Sequence, residues 1–142
     1  MNPIFRLADR ARAWARLRHG NLAHSLGRTG EDLAHRHLQR AGLIVVARNY
    51  RTPGGSAEID LVAREGEMLV FVEVKTRETD EFGAPDRAID AVKRDKIRRA
   101  ASNYLHRAGH DPAFVRFDTV SIVTRPTLRV QHVRDAWAAS AI

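Results

Sequence analysis

The stretch AEIDLVAREGEMLVFVEVK, residues 57–75, decides the fold. From Ala57 to Ala63 it alternates, with Glu58, Asp60 and Val62 on one face and Ile59, Leu61 and Ala63 on the other, the period of a strand. Arg64-Glu65-Gly66-Glu67 supplies a turn, and Met68 to Lys75 is rich in the β-branched and aromatic residues that fit a pleated surface. The segment therefore reads as a β-hairpin. A tight turn about Glu65 and Gly66 sets Phe71 opposite Asp60 and Glu73 opposite Glu58. Asp60 and Glu73 then become diagonal neighbours on one face, roughly 7 to 8 Å apart at the backbone. A register change of two residues preserves that common face, whereas a one-residue bulge reverses it. Glu73 and Lys75 share a face about 7 Å apart, with Val72 and Val74 pointing to the other side.

Outward from the hairpin, Gly27-Arg28-Thr29-Gly30-Glu31-Asp32 opens a helix with Thr29 as N-cap and two acids in the first turn, where the helix dipole favours them. That helix runs to about Ala41 and stops at Gly42. Leu43 to Ala47 is a short apolar run ending in Arg48-Asn49-Tyr50-Arg51, a strand, followed by the loop Thr52-Pro53-Gly54-Gly55-Ser56. After the hairpin a polar loop from Thr76 to Pro85 leads to a long helix from about Asp86 to Arg107. Strands at Val115 to Val123 and Leu128 to Val133 complete the sheet. The order is α-β-β-β-α-β-β, an α/β fold with a central mixed sheet flanked by helices. Residues 1–26 form a basic amphipathic N-terminal arm and residues 27–142 the folded domain.

The 142 residues suit one domain. No apolar run approaches the roughly 18 residues of a membrane span, which excludes an integral helical membrane protein. The chain has no cysteine, so neither disulfides nor a thiolate zinc site supports the fold, and a reducing cytoplasm suits it. A net charge of +7 invites a nucleic-acid partner, yet residues 1–28 hold six arginines against Asp9, so the remainder carries only +2. Global basicity is mostly a property of the arm. There Ile4, Phe5, Leu7, Trp14 and Leu17 alternate with Arg6, Arg10, Arg12, Arg16 and Arg18. A DNA-contacting arm, an interfacial helix on anionic lipid and an extension outside the fold all fit that pattern.

Two carboxylates converging beside a lysine are unfavourable unless something offsets their repulsion. A divalent cation would do so. Mg²⁺ or Mn²⁺, hard ions that take oxygen ligands, could be held by Asp60, Glu73 and the Val74 carbonyl, with Lys75 orienting water or stabilising negative charge. The reaction implied is phosphodiester hydrolysis. The competing reading of E-x-K is a solvated strand edge with a surface ion pair. Leu69, Val70, Phe71, Val72 and Val74 around it argue for a central strand instead. Glu31 falls on the inward stripe of its helix with Ala34, Leu38 and Ala41. It is either a third acid at the site or a complement to the helix N-terminus. On the long helix, Ile89, Val92, Ile97, Ala100 and Tyr104 form the apolar stripe, with Lys93 and Lys96 inside it and Arg94, Arg98 and Arg99 nearby. These are phosphate-binding groups near a cleft or snorkelling stems on a helix surface. The seven histidines show no metal-ligand spacing, and Arg116-Phe117-Asp118 reads as a buried ion pair.

The sequence resembles the YraN family of bacterial proteins from about Gly27 to Trp137. The resemblance rests on G-E-D-L-A at 30–34, R-N-Y-R at 48–51, E-I-D-L-V-A at 58–63, F-V-E-V-K-T-R at 71–77, F-G at 82–83, K-R-D-K at 93–96, R-F-D at 116–118 and D-A-W near the C-terminus. Ala57 stands where members of that family usually have glycine. The wider group to which it is similar, the PD-(D/E)-x-K nucleases with their Holliday-junction resolvases, implies a restriction-endonuclease-like fold. It also implies Asp60 as the motif aspartate, Glu73 and Lys75 as the E-x-K pair, and Glu31 as the acid of the first helix. A Mg²⁺- or Mn²⁺-dependent endonuclease on branched, nicked or single-stranded DNA is the expectation. A nucleic-acid-binding or recombination accessory protein without efficient cleavage is the alternative. Lys93, Arg94, Lys96 and Arg51 are the expected nucleic-acid contacts, and a homodimer would suit a junction or duplex.

Overall fold

The computed structural model describes residues 22–78 and 91–139. The basic stretch 4–18, the F-G pair at 82–83 and the expected helix start at Asp86 with Ile89 lie outside them. Helix α1 spans Leu22–Arg40, followed by β1 (Ile44–Arg51), β2 (Glu58–Glu65), β3 (Met68–Arg77), α2 (Ala91–Ala108), β4 (Val115–Val123) and β5 (Arg129–Trp137). This is the expected order, and the five strands form one mixed sheet in the order β1-β2-β3-β4-β5.

Helix α1 begins earlier than its capping signal suggests, crossing the expected boundary at residue 26, so Gly27 and Thr29 lie inside it. Leu22-Ala23-His24-Ser25-Leu26 contains no strong helix breaker, and the hydroxyl of Thr29 is therefore not needed as a cap. Its C-terminus follows the sequence signal closely. Gly42 takes φ +92°, the Gly42 amide donates to the Gln39 carbonyl and the Leu43 amide to that of Leu38. That double bond is a Schellman stop, with Leu43 and Leu38 both buried beneath it.

The hairpin turns on Gly66 and Glu67, with Gly66 at φ +58°. Its pairs run from Glu65↔Met68 to Leu61↔Val72, two residues away from the register expected of a turn at Glu65 and Gly66. Continuing that register sets Asp60 directly across from Glu73 instead of diagonal to it. No β2–β3 pair is formed beyond Leu61↔Val72, so the two strands part at Asp60. Strict alternation in β2 also fails there. Ile59 and Val62 enter one core layer while Leu61 and Ala63 enter the other.

Strands β3 and β4 pair in parallel from Leu69↔Val115 to Arg77↔Val123, and α2 lies in the crossover between them. β3 is central, as its unbroken apolar run requires, with residues 69–73 all buried. One core layer packs Ile97, Ala100, Ala101 and Leu105 of α2 against Ile59, Val62, Phe71 and Phe117. The opposite layer packs Ala34 and Leu38 of α1 against Leu61, Val70, Val72, Val120 and Ile122. Val92, expected in the apolar stripe of α2, is 67% exposed, because the buried stripe starts a turn later at Ile97. β5 continues four residues past the expected Val133. A register shift carries it past Asp135 (φ +51°), and Trp137 then stacks on Phe117 with centroids 3.9 Å apart. No helix among the described residues is long and apolar enough to cross a membrane.

Candidate active site

The acids meet where β2 and β3 separate. Past the last ladder pair, the Val74 amide donates to Asp60 Oδ2 at 2.8 Å, so the aspartate side chain takes a backbone bond that the hairpin no longer supplies. This fixes Asp60 against the E-x-K segment. Glu73, two residues past Phe71 on the α2 side of the sheet, is 6% exposed, and it is hydrogen-bonded to Asp60. Burial first, and then the Glu73 charge, push the Asp60 carboxyl up to about 8, with Glu31 adding in the same direction and the Val74 amide opposing. Asp60 thus keeps its proton well above the usual carboxylate range while no divalent cation offsets the repulsion.

Both helices approach the gap, from opposite faces. From α2, Lys93 reaches down to place Nζ 2.5 Å from Glu73 Oε1, its own side chain remaining half exposed. From α1, Glu31 is half-buried and accepts from Asn49 Nδ2 at 3.3 Å, with Arg48 3.5 Å away. Asn49 sits abreast of Asp60, between the pairs Arg48↔Leu61 and Tyr50↔Ile59, at φ +50°. The closeness of α1 depends on Gly30. A Cβ there would lie 1.9 Å from Thr76 Oγ1, so a larger residue requires either the Thr76 side chain to turn away or the helix, and Glu31 with it, to lift off the end of β3.

Lys75 follows Glu73 on the same face of β3 and is half-buried, abreast of Ser121 on β4. Abreast of Glu73 on β4 is Thr119, 1% exposed, whose Oγ1 has no hydrogen-bond partner. An orphaned hydroxyl next to one buried and one half-buried carboxyl is the environment a cation or an ordered water would complete. The donor set is all oxygen and contains two converging carboxylates. That suits Mg²⁺ or Mn²⁺, which keep several waters and use one or two carboxylates plus substrate oxygens. It does not suit a closed cage, since among the described residues no three His, Cys, Asp or Glu side chains converge on one point. Glu31 stays with β1, where Arg48 and Asn49 hold it.

The expected nucleic-acid contacts divide. Lys93 belongs to the acid pair. Lys96 is exposed on α2. Arg51 is paired with Glu58 at 3.3 Å on the outer pair of β1 and β2. Arg94 turns away from Lys93 to lie over the Trp137 ring. Thr119 was missed in the sequence because its neighbour is set by a parallel crossover, which leaves no local spacing to read. Asn49 lay within a quoted motif, but only its left-handed backbone discloses why a residue tolerant of positive φ stands there.

On the α1 face, Asp118 forms the ion pair anticipated with Arg116, at 2.7 Å and 2.9 Å, and also receives His132 Nε2 at 2.7 Å and the Asp135 amide at 2.9 Å. Arg116 and Arg134 both bond Glu65, and His37 of α1 meets the His132 ring edge-on. This network fastens the β5 bulge and lies on the face of the sheet opposite to Glu73.

The model of the uncharacterised protein family UPF0102 matches residues 30–122. A UPF0102 protein from Solibacter usitatus is 50% identical over 134 residues, covering 94% of this chain and 97% of its own length. One from Rhodococcus jostii is 45% identical over 82% of this chain and 100% of its own, and one from Streptomyces griseus is 48% identical over 72% and 86%.

Proposed function

The chain belongs to UPF0102, the YraN family, and from the convergence of its two strand carboxyls we propose that it is a divalent-metal-dependent endonuclease hydrolysing phosphodiester bonds in DNA. The observation that carries this reading is the Asp60–Glu73 contact at the parting of β2 and β3, beside Lys75 and an orphaned Thr119 hydroxyl. A carboxyl pair that repels phosphate is of no use to a simple nucleic-acid binder, and holding it together opposes folding.

In this reading Asp60 and Glu73 hold the ion, Val74 orients Asp60 through its amide, and Thr119 offers an uncharged oxygen to the water beside Glu73. Mg²⁺ or Mn²⁺, when bound, supplies a Lewis acid for the phosphate oxygens and an acidified water. Lys75 places a positive charge where the attacked phosphate gains negative charge. Glu31 contributes field from the far side of the gap. The fold supplies rigidity, since two of the groups come from one strand and a third from its hairpin partner.

The Lys93–Glu73 ion pair favours a second reading, a nucleic-acid-binding protein without cleavage, because an ammonium already satisfies the acid. Incubation with linear, single-stranded and four-way-junction DNA in Mg²⁺, Mn²⁺ or chelator, beside Asp60→Ala and Glu73→Ala, separates the two. Cleavage that needs metal and both acids supports the endonuclease. Binding with no cutting of any substrate, or equal cutting by the variants, sinks it.

A further inference from the structure

Beside the acid site, α2 carries a group of donors that the mechanism does not use. Arg94 and Arg98, one turn apart, place their guanidinium carbons 5.9 Å and 5.2 Å from the centroid of the Trp137 ring. The opposite face of that ring stacks on Phe117 with planes 18° apart, and Trp137 is only 7% exposed. The platform is rigid, because the bulge that delivers Trp137 is fastened by the Asp135 amide to buried Asp118. Both Nε atoms and the Trp137 Nε1 are buried and have no hydrogen-bond partner. Neither arginine forms an ion pair with a described residue, and Asp95 is the single acid between residues 91 and 108.

Three donors without acceptors and two adjacent cations are unfavourable as they stand. An anion set between the forks offsets the two adjacent cations, since guanidinium binds phosphate oxygens bidentately. The indole cannot serve as a stacking platform for a base, being covered on one side by Phe117 and on the other by the arginines. A phosphate is what remains, and contacts of that kind position a strand without reading its sequence. Lys93, the residue before Arg94, touches Glu73, so the clamp adjoins the acid pair along the same helix.

We propose that Arg94, Arg98 and Trp137 form a phosphate clamp, which takes a backbone phosphate of the nucleic-acid strand next to the one presented to Asp60 and Glu73. The assignment of a nucleic-acid ligand rests on the function proposed above. It differs from the expected basic cluster, because Arg98 and Trp137 enter it while Lys96 does not.

The test is binding of a labelled DNA duplex to the full chain in chelator, where no cleavage intervenes, across a salt series. Arg94→Gln/Arg98→Gln should weaken binding about tenfold and reduce the slope of log affinity against log salt by about 0.9, the share of one phosphate. Arg94→Lys/Arg98→Lys should retain the slope while losing part of the affinity, because charge survives and the fork does not. In a Trp14→Phe background Trp137 is the remaining tryptophan, and its emission should shift on adding duplex and far less on adding inorganic phosphate. An unchanged slope in the glutamine variant overturns the clamp. Should that variant fail to fold, a Trp137 emission indifferent to duplex overturns it equally, and equal response to inorganic phosphate overturns the nucleic-acid assignment. Duplex binding through the clamp with no cleavage in Mg²⁺ or Mn²⁺ would refute the endonuclease alone. Cleavage with an unchanged salt slope would refute the clamp alone.

Discussion

Asp60→Asn should make this protein more stable at alkaline pH and deprive it of any stabilisation by Mg²⁺. The Asp60 carboxyl is raised from 3.8 to about 8 by burial and by Glu73. The folded chain therefore holds a proton that the unfolded chain releases near pH 4, and stability declines as pH rises from about 4 to about 8. At about 1.4 kcal/mol per pH unit the full decline has a ceiling of roughly 6 kcal/mol. Asparagine keeps an oxygen to accept the Val74 amide bond and carries no charge, so it preserves the geometry and removes the decline. The assay is thermal unfolding of both proteins between pH 5 and pH 9 in chelator, then with Mg²⁺ or Mn²⁺. Taking the difference between the two proteins cancels His35 and His37, whose lowered values act on both alike. Even half the ceiling separates the melting temperatures at pH 9 by roughly 10 °C. Metal should then recover the wild type and leave the variant unmoved, since a cation offsets the repulsion between the two ionised carboxyls and finds no such pair in the variant. Equal stability of the two proteins at pH 9 in chelator would refute the carboxyl contact as an energetic fact. A variant as responsive to metal as the wild type would refute the metal assignment.

Gly30→Ala should destabilise by about 1–3 kcal/mol in urea unfolding, as overpacking does, because its Cβ meets Thr76 Oγ1 at 1.9 Å. Adding Thr76→Ala should recover much of that loss, and no recovery would contradict the contact. Thr119→Val exchanges an unpartnered buried hydroxyl for a methyl and should stabilise by about 1 kcal/mol while lowering metal-dependent cleavage. Unchanged cleavage would remove Thr119 from the site. Lys93→Ala should raise the affinity for Mg²⁺ measured by calorimetry, since it vacates the contact 2.5 Å from Glu73, and should weaken DNA binding in chelator. On the other face, burial alone would raise the Asp118 carboxyl, but bonds from His132, Arg116 and the Asp135 amide bring it below its ordinary value. Its stabilisation is accordingly complete above about pH 4 and lost as pH falls through the lower folded value. Asp118→Asn should cost about 3–5 kcal/mol at pH 7, as breaking a buried pair does, and should flatten the acid limb of the unfolding curve.

The order of elements was legible in the sequence because each signal is local. Alternation marks the hairpin, Gly42 and Gly66 mark a helix stop and a turn, and an unbroken apolar run marks a buried central strand. The acids and lysine of the candidate site were legible for the same reason, since all three lie on one hairpin and strand parity alone places Glu73 with Lys75. The start of α1 was misread because a good N-cap residue can also lie within a helix when the preceding residues are able formers.

By itself, then, the sequence determined the strands and helices and the association of Asp60 with the E-x-K segment. Tertiary structure decided everything that depends on a long-range neighbour. It parted the strands at Asp60, bonded that carboxyl to the Val74 amide, and brought Lys93 and Glu31 from opposite faces. It also placed Thr119 beside Glu73 and turned Arg94 onto Trp137. The physical reason is that alternation fixes which face a side chain takes along its own strand. Which residue stands abreast of it depends on a turn two residues long, a bulge at Asp135 and a parallel crossover, none of which local periodicity encodes.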